Sequence, residues 1–302
     1  MERTTLSTFT DPLSYQFMQH ALVAATLVGG LCGMIGVYVV LRRMSYIGHG
    51  MSHAVFGGAV VGYVLGWNFY LVAGGWGFIS ALLINQVTRR RQIGADAAIG
   101  IITTASFAFG VALISRGKHF TRNFDAALFG NLLGISRQDL YLIAATCLVM
   151  LVVVFFLYKQ LLFVTFDPEV APTYGVPTGP IDVVFALILA ATIIVSIKIM
   201  GVTLIAASLV IPPVIARLLT SSFWKILILS TVLGAVTGFA GIYISYYQNV
   251  ASGATIVLLA AAMFVVVMMG TVLRQYLPLG RVDGRASEVI GTAALPPDLD
   301  VH

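Results

Sequence analysis

Charged residues are scarce in this sequence: 10% of the 302 residues are Asp, Glu, Lys or Arg, whereas 59% are hydrophobic. A soluble domain carries about a quarter charged residues, so this chain lacks the polar surface that a water-soluble fold needs. Uncharged runs long enough to cross a hydrocarbon core recur along the chain. The alternating pattern of a membrane β-barrel is missing. The sequence therefore predicts an all-α polytopic membrane protein.

The motifs of several enzyme classes are also absent. There is no GxxxxGK(S/T) loop, so the chain is not expected to hydrolyse ATP by itself. Gly50 follows His49, which excludes the HExxH motif of zinc proteases, and no Ser–His–Asp or paired-carboxylate arrangement is evident within the apolar runs. Cys32 and Cys147 lie in apolar runs without CxxC spacing, which favours packing roles. The sequence thus predicts a protein that is not an enzyme.

The apolar runs predict about nine transmembrane helices. The expected spans are 17–40, 51–66, 68–88, 97–115, 138–158, 181–199, 202–219, 223–247 and 252–273. The second run is short, and only the sequence GWN separates it from the third, so counts of eight and ten stay open. No soluble linker interrupts the series. We therefore expect one transmembrane domain over 17–275, an extracellular segment over 1–16, and a disordered cytoplasmic tail over 276–302.

Basic residues between the runs predict the orientation. Those on one side of a nine-span arrangement are Arg42, Arg43, Arg89, Arg90, Arg91, Lys159, Arg217, Lys225, Arg274, Arg281 and Arg285. Loops rich in Lys and Arg remain in the cytoplasm, so the N-terminus is expected outside and the C-terminus inside. The loop SRGKHFTRN, residues 115–123, disagrees because it places three basic residues outside. The net charge of +5 thus reflects membrane orientation, and no nucleic-acid partner is expected.

The longest polar stretch between spans is 161–180, which the orientation places in the cytoplasm. Asp167, Pro168 and Glu169 have the pattern of a helix start, with a capping Asp, Pro at the first position and an acid near the positive end of the helix dipole. Gly175 and Pro177 would end this helix. The pattern predicts a short surface helix, although an ordinary connector helix is an equal alternative.

Two histidines, His49 and His53, lie four residues apart at the start of the second apolar run. They adjoin a row of small residues that recurs every four positions, namely Gly50, Ala54, Gly58, Gly62 and Gly66. Such rows let membrane helices approach closely, so both histidines should face protein or a cavity rather than lipid. Counted helically from Arg43, His53 lies about 15 Å into the membrane, where ionisable groups are costly and usually functional.

Imidazoles at positions i and i+4 lie on one face of a helix and can direct nitrogens at one divalent ion. The histidine spacing therefore predicts a metal site, but two nitrogens do not complete one. The alternative is a pair of packing residues that bond to neighbouring helices. A second candidate feature is Pro212–Pro213 in the seventh run, which removes helical hydrogen bonds and would bend the helix near a pathway or form a purely structural kink.

Several stretches resemble the permease subunits of bacterial zinc, manganese and iron ABC importers. The matching stretches are LRRMSYIGHGMSHAVFGGAVVGY (41–63), ADAAIGI (95–101), LFGNLLGIS (128–136), FDPEVAPTYGVP (166–177), GVTLIAASLVIPPVIARLLT (201–220) and ISYYQNVASGATIVLLAA (244–261). They occur in family order over about residues 15–275. In the family signature, His53 matches a histidine of the metal site, whereas His49 stands where an Asp is usual.

The resemblance implies a type II ABC importer fold, like that of vitamin B12 importers, in the bacterial cytoplasmic membrane. It implies a second permease chain that we expect to be identical, two copies of a cytoplasmic ATP-binding subunit, and an extracytoplasmic metal-binding protein. Asp167, Pro168 and Glu169 would lie in the coupling helix that contacts the ATPase. The transported ion would be Mn²⁺ or Zn²⁺, or Fe²⁺, and no permanently bound cofactor is expected.

Three other functions stay open from the sequence. A permease for metal chelates or cobalamin needs a wide cavity, which the close-packing row beside the histidines disfavours. An ion-coupled secondary transporter normally carries carboxylates in mid-span, and almost none are found here. A structural membrane subunit would use His49 and His53 only for packing.

Overall fold

The computed structural model describes residues 11–89, 94–116, 128–130 and 134–276. Within these residues the chain forms ten α-helices: α1 Gln16–Leu41, α2 Ser45–Val64, α3 Phe69–Arg89, α4 Ala95–Arg116, α5 Arg137–Phe156, α6 Tyr158–Phe166, α7 Thr178–Met200, α8 Ile205–Leu219, α9 Phe223–Gln248 and α10 Ser252–Tyr276. Two four-residue 3-10 helices, Asp11–Ser14 and Ala171–Tyr174, complete the described elements. The predicted all-α class is confirmed, and the predicted tail over 276–302 lies almost wholly outside the described residues.

Seven of the described helices are long and apolar enough to cross a membrane: α1, α3, α4, α5, α7, α9 and α10. Each of the nine predicted segments corresponds to one helix, but α8 has only 15 residues and α2 does not reach the same apolarity. Helices α1 and α7 are the most buried, with 72% and 78% of their most apolar stretch inside the bundle, against 11% for α10. These two helices therefore form the centre of the bundle.

Helices α1 and α9 pack with their backbones in contact. A Cβ atom added at Gly29 would collide with the carbonyl group of Gly234, and one added at Gly234 would collide with that of Gly29. One turn further along, Ser230 donates a hydrogen bond of 2.6 Å from its hydroxyl to the carbonyl oxygen of Gly33. Close approach of this kind is typical of small residues at membrane helix interfaces.

Two turns set the direction of α2. After α1, Arg43 adopts a left-handed backbone conformation with φ of 56°, and the chain enters α2 at Ser45. After α2, Gly66 has φ of 66°, and the side chain of Asn68 accepts hydrogen bonds from the N–H groups of Tyr70 and Leu71 at 3.0 and 3.3 Å. The α2–α3 connection is thus a short reversal that ends in a capped helix.

Polar side chains join helices at both ends of α7. At one end, Arg42 forms a 2.9 Å ion pair with Asp182, the fifth residue of α7. At the other end, Lys198 forms a 2.6 Å ion pair with Asp139 of α5, and the hydroxyl of Tyr70 donates to the same carboxylate at 2.8 Å. Because Arg42 follows the end of α1 and Asp139 lies near the start of α5, α1 and α5 both run antiparallel to α7.

The predicted helix start at Asp167, Pro168 and Glu169 is wrong. Residues 161–166 belong to α6, and Asp167 terminates that helix. The Asp167 carboxylate does accept a 3.2 Å hydrogen bond from the N–H of Val170, but it stabilises a turn rather than the first turn of an α-helix. The expected short helix is the 3-10 helix Ala171–Tyr174, which ends as predicted at Gly175, with φ of 77°. Pro168 directly follows Asp167 in this turn, a position that proline favours because its φ is fixed.

Helix α8 continues through Pro212 and Pro213, and both residues are buried. Since Pro213 has no N–H group, it leaves the carbonyl of Leu209 without its usual helical donor. That carbonyl packs directly against Gly36 of α1, at a place where a side chain would collide with it. The local geometry therefore explains how the pair is accommodated, while a functional bend at Pro212–Pro213 stays a prediction.

Candidate metal-binding site

Helix α2 carries both histidines of the predicted site and packs against α1, α3, α4, α7 and α8. It begins at Ser45, six residues earlier than the apolar run suggested, so that His49 lies in the second turn. His53 is the ninth of 20 residues and occupies the middle of the helix. Both residues thus lie on one helical face, as their spacing predicts.

The two imidazoles point nitrogen atoms at the same place. Their Nε2 atoms are 3.2 Å apart, and the ring centroids are separated by 4.6 Å with an interplanar angle of 86°. Without an ion, one nitrogen donates a hydrogen bond and the other accepts it. Two nitrogens each about 2.1 Å from a metal ion would lie about 3.0 to 3.4 Å apart for octahedral and tetrahedral angles. The observed separation falls in that range, so the distance between the two nitrogens is compatible with shared coordination of one ion.

The two histidines differ in their surroundings. His49 is exposed and has Tyr46 as an aromatic neighbour, with 6.2 Å between the ring centroids. His53 is half-buried and makes an edge-to-face contact with Phe107 of α4 at 4.7 Å. Its Nδ1 atom is buried and has no hydrogen-bond partner among the described residues. The contact with α4 holds the His53 ring by packing, while His49 remains accessible.

The small residues of α2 pack against α3 and α4, as predicted. A Cβ added at Gly50 would lie 2.6 Å from Ile99 of α4, and a Cβ at Gly62 would lie 3.0 Å from Val72 of α3. Gly58 meets Trp76 of α3 even more closely. Gly66 is the exception, because it follows the helix and forms the turn described above. This row of small residues therefore brings α3 and α4 close to the face of α2 that carries the histidines.

A chain of hydrogen bonds fixes α2, α3 and α4 at the level of the histidines. The indole N–H of Trp76 donates to the hydroxyl of Ser106 at 2.7 Å, and that hydroxyl donates to the carbonyl oxygen of Ala54 at 2.9 Å. Ala54 follows His53, and Ser106 precedes Phe107, which touches the His53 ring. Nothing in the sequence spacing of Trp76, Ser106 and Phe107 relates them to α2, so the sequence does not predict their place beside the histidines.

The remaining candidate residues do not join the histidines. The described part of the chain has no group of three or more His, Cys, Asp and Glu side chains placed to hold one metal ion. Asp167, Pro168 and Glu169 form an exposed turn at the end of α6. The helix that carries Pro212 and Pro213 contacts α2, because the Leu209 side chain of that helix lies 3.2 Å from a Cβ added at Gly48. The structure therefore brings together only the histidine pair among the candidate residues it describes, and a metal-binding role for this pair stays a prediction.

Comparison with known proteins identifies the family. The sequence profile of the ABC 3 transport family matches residues 14–271. The chain belongs to this family. It is 39% identical to the manganese transport system membrane protein MntC of Halalkalibacterium halodurans over 256 aligned residues. This alignment covers 85% of this chain and 88% of that protein. A probable iron transport system membrane protein of Haemophilus influenzae is 34% identical over 86% of this chain and 92% of its own length.

A solved structure supports the same assignment to the ABC 3 transport family. The fold is similar to that of PsaBC from Streptococcus pneumoniae in complex with Fab, with a TM-score of 0.79 and 32% identity over 87% of this chain and 95% of that chain. Together with the seven long apolar helices, these matches make the protein a multi-pass membrane protein. The resemblance found in the sequence is thereby confirmed.

Proposed function

We propose that this chain is the permease subunit of an ATP-driven importer that passes divalent transition metal ions into the cytoplasm. The observation that carries the proposal is the pair of converging Nε2 atoms, 3.2 Å apart, at the centre of α2. The relatives support it, since the named activities of the MntC protein and of the Haemophilus influenzae protein are manganese and iron transport. In this function His49 and His53 form a transient site on the path of the ion.

The composition of the site favours transit over storage. Two imidazoles leave most of the coordination sphere of an ion to water or to a second copy of the chain. A site with few protein ligands binds an ion strongly enough for entry and weakly enough for release. Imidazole suits Zn²⁺, whereas hard oxygen ligands suit Mn²⁺ better, so replacement of the usual Asp by His49 favours zinc. The manganese relatives favour Mn²⁺, and Fe²⁺ is the third candidate cargo.

The proposed topology has nine crossings, with α2 and α8 among them, in a type II importer fold. Residues 1–16 lie outside the cell and residues 276–302 in the cytoplasm. The two ion pairs of α7 support alternating crossings, because α1 and α7 meet at one end of the bundle and α5 and α7 at the other. Helices α2 and α8 are shorter or less apolar than the others, but both pack within the bundle rather than against lipid alone.

The proposed partners are two ATP-binding subunits, a second and identical permease chain, and an extracytoplasmic metal-binding protein. The segment 161–180 would contact the ATPase through its exposed turn at Asp167, Pro168 and Glu169. Large apolar side chains border this turn and are also exposed, with Phe166 at 62% and Tyr174 at 73%. An exposed surface of this composition, with two acids and two aromatic rings, suits a protein partner better than water.

Metal uptake by cells tests the proposal. Cells lacking their own importers would express this chain with its ATPase and binding protein, and uptake of radioactive Zn²⁺ and Mn²⁺ would be measured in competition. We expect wild type to accumulate one metal, and His53→Ala to lower its uptake at least about tenfold because half of the nitrogen ligands are lost. His20→Ala, a half-buried histidine on α1, is the matched control and should keep wild-type uptake.

Two results would contradict the proposal. Equal metal uptake by wild type and His53→Ala at matched membrane levels would show that His49 and His53 are packing residues. Uptake that persists when the ATPase partner is inactivated would indicate an ion-coupled transporter instead. Uptake of a metal chelate, but of neither free ion, would favour the chelate permease.

A further inference from the structure

Arg42 makes more polar contacts between helices than any other cation discussed above. Its Nε atom donates to the hydroxyl of Thr165 at 3.1 Å, and its Nη1 atom donates to the carboxylate of Asp182 at 2.9 Å. The guanidinium also lies over the ring of Phe185, 4.3 Å from the ring centroid. The side chain is only 7% exposed although it carries a permanent charge. Burial of this charge is costly, and the Nη2 atom is buried without a hydrogen-bond partner among the described residues, so the contacts with Thr165, Asp182 and Phe185 must offset that cost.

The two polar partners of Arg42 flank the segment that would contact the ATPase. Thr165 is the penultimate residue of α6, directly before the exposed turn that begins at Asp167. Asp182 is the fifth residue of α7, the helix that begins directly after the segment 167–177. Within the segment, Ala171 is fully buried and accepts a hydrogen bond from the N–H of Val176 at 3.1 Å. One guanidinium thus holds both ends of a compact surface segment.

Arg42 is also close in sequence to the histidine helix. It caps α1, and only Arg43 and Met44 separate it from the first residue of α2. This connection is short and hydrogen-bonded. The N–H groups of Arg43 and Met44 both donate hydrogen bonds to carbonyl oxygens in the last turn of α1, at 3.1 and 2.9 Å. A displacement of Arg42 must therefore move the start of α2, which lies one helical turn before His49.

We propose that Arg42 is the positioning residue that transmits movement of the 167–177 segment to α2, and so couples a partner ATPase to His49 and His53. The inference rests on the proposed function. It assigns to Arg42 a role in transport without contact with the transported ion. The proposed path begins at the 167–177 segment and passes through Thr165 and Asp182 to the guanidinium of Arg42. From Arg42 it reaches α2 through the two-residue connection.

The chemistry of arginine explains why this residue type suits the position. The planar guanidinium presents fixed donors in two directions, so it bonds to a hydroxyl and a carboxylate at the same time. A lysine ammonium is a single point charge that would keep the attraction to Asp182 but not both directed contacts. Arg42→Lys therefore separates the geometric role from the charge.

The opposite end of α7 offers a matched control. The ion pair between Lys198 and Asp139 is shorter, at 2.6 Å, and the Asp139 side chain is as buried as that of Arg42, at 7% exposure. It joins α7 to α5 and, through Tyr70, to α3, at the end of the bundle far from the 167–177 segment. Lys198→Gln removes a cation from this pair as Arg42→Gln removes one from the other.

The test is the number of metal ions imported per ATP hydrolysed. The full complex would be reconstituted in vesicles, and ATP hydrolysis and uptake of Zn²⁺ and Mn²⁺ would be measured on the same sample. We expect Arg42→Gln and Arg42→Lys to lower this ratio about twofold to thirtyfold, the range expected when one residue of a coupling network is changed. ATP hydrolysis per assembled complex should persist, and Lys198→Gln should keep the wild-type ratio.

Each outcome decides the inference. An unchanged ratio in both Arg42 variants, with uptake and hydrolysis falling in proportion, would overturn it and leave Arg42 a structural residue. An equal fall of the ratio in Lys198→Gln would overturn it as well, because the effect would not be specific to the segment's end of α7. Absence of ATP-dependent uptake of either metal by wild type would instead overturn the proposed function, and this inference with it. If Arg42→Gln does not assemble, Arg42→Lys gives the same measurement.

Discussion

Two glycine-containing interfaces, α1 with α9 and α2 with α3, differ in what their glycines contact. In the first, glycines meet backbone atoms, as Gly29 and Gly234 do. In the second, Gly58 and Gly62 mainly meet the side chains of Trp76 and Val72. Overlap with a carbonyl group forces two helices apart, whereas the 3.0 Å contact at Gly62 needs a shift of only a few tenths of an ångström.

This difference indicates where the bundle is rigid and where it adapts. The α1–α9 interface includes a buried serine hydrogen bond, and it lies at the centre of the molecule. The α2–α3 interface lies beside two imidazoles and a hydrogen-bonded chain, which accommodate an ion and its passage in the proposed function. A fixed scaffold thus supports a face with adjustable neighbours, in keeping with the need to position ligands on rigid elements.

The largest effect is expected from Gly29→Ala. The new Cβ would overlap the carbonyl group of Gly234, so α1 and α9 must separate. Overpacking typically costs about 1–3 kcal/mol, and the backbone contact places this variant at or above the upper limit. We expect strongly reduced yield and thermal stability of the purified protein. Gly75→Ala on α3, where no described atom lies within 4 Å of the added Cβ, is the control. Wild-type stability of Gly29→Ala would contradict the rigid-scaffold interpretation.

Hydrophobic runs predicted the helices well, because burial in a membrane demands long apolar segments and helical backbone pairing. The approach of the two imidazoles was also predictable, since the i and i+4 positions share a helix face whatever surrounds them. The ion pairs were not. Asp182 and Lys198 look like ordinary residues at segment ends, and their partners lie 140 and 59 residues away in the sequence. Only the packing of α1, α5 and α7 brings these charges together.

The error at Asp167 has a local cause. An Asp followed by Pro is equally compatible with a helix start and with a turn, because the Asp side chain bonds to an N–H three residues later in both. The end of α6 leaves the chain exposed at this place, and the turn satisfies the backbone before the 3-10 helix begins. The missed residues near the histidines, Ser106 and Phe107, belong to α4, whose register relative to α2 is a tertiary property.

An intermediate effect is expected from Ser106→Ala, which tests the adaptable interface. The change removes the acceptor of the Trp76 indole N–H and the donor to the Ala54 carbonyl, in a site where Ser106 is only 6% exposed. An unsatisfied buried donor costs about 1–3 kcal/mol. We expect a measurable loss of thermal stability and weaker metal uptake, since Phe107 follows Ser106 and holds the His53 ring.

Ser115→Ala is the matched control for this variant. Ser115 lies on the same helix, is exposed, and bonds only within its own helix, to the carbonyl oxygen of Ala112 at 2.8 Å. Its removal should leave both measurements at wild-type values. Equal stability of the two variants would show that the chain from Trp76 to Ala54 does not fix the three helices.

The smallest effect is expected from Gly62→Ala, the counterpart of Gly29→Ala in the second interface. The added Cβ would lie 3.0 Å from the Cβ of Val72 and farther from its methyl groups, so a shift of a few tenths of an ångström between α2 and α3 relieves the contact. Alanine also gains about 0.8–1.0 kcal/mol over glycine in a helix, which offsets the strain. We expect thermal stability within about 1 kcal/mol of wild type. A loss as large as that of Gly29→Ala would mean that α2 is held as rigidly against α3 as α1 is against α9, and that the two interfaces do not differ in kind.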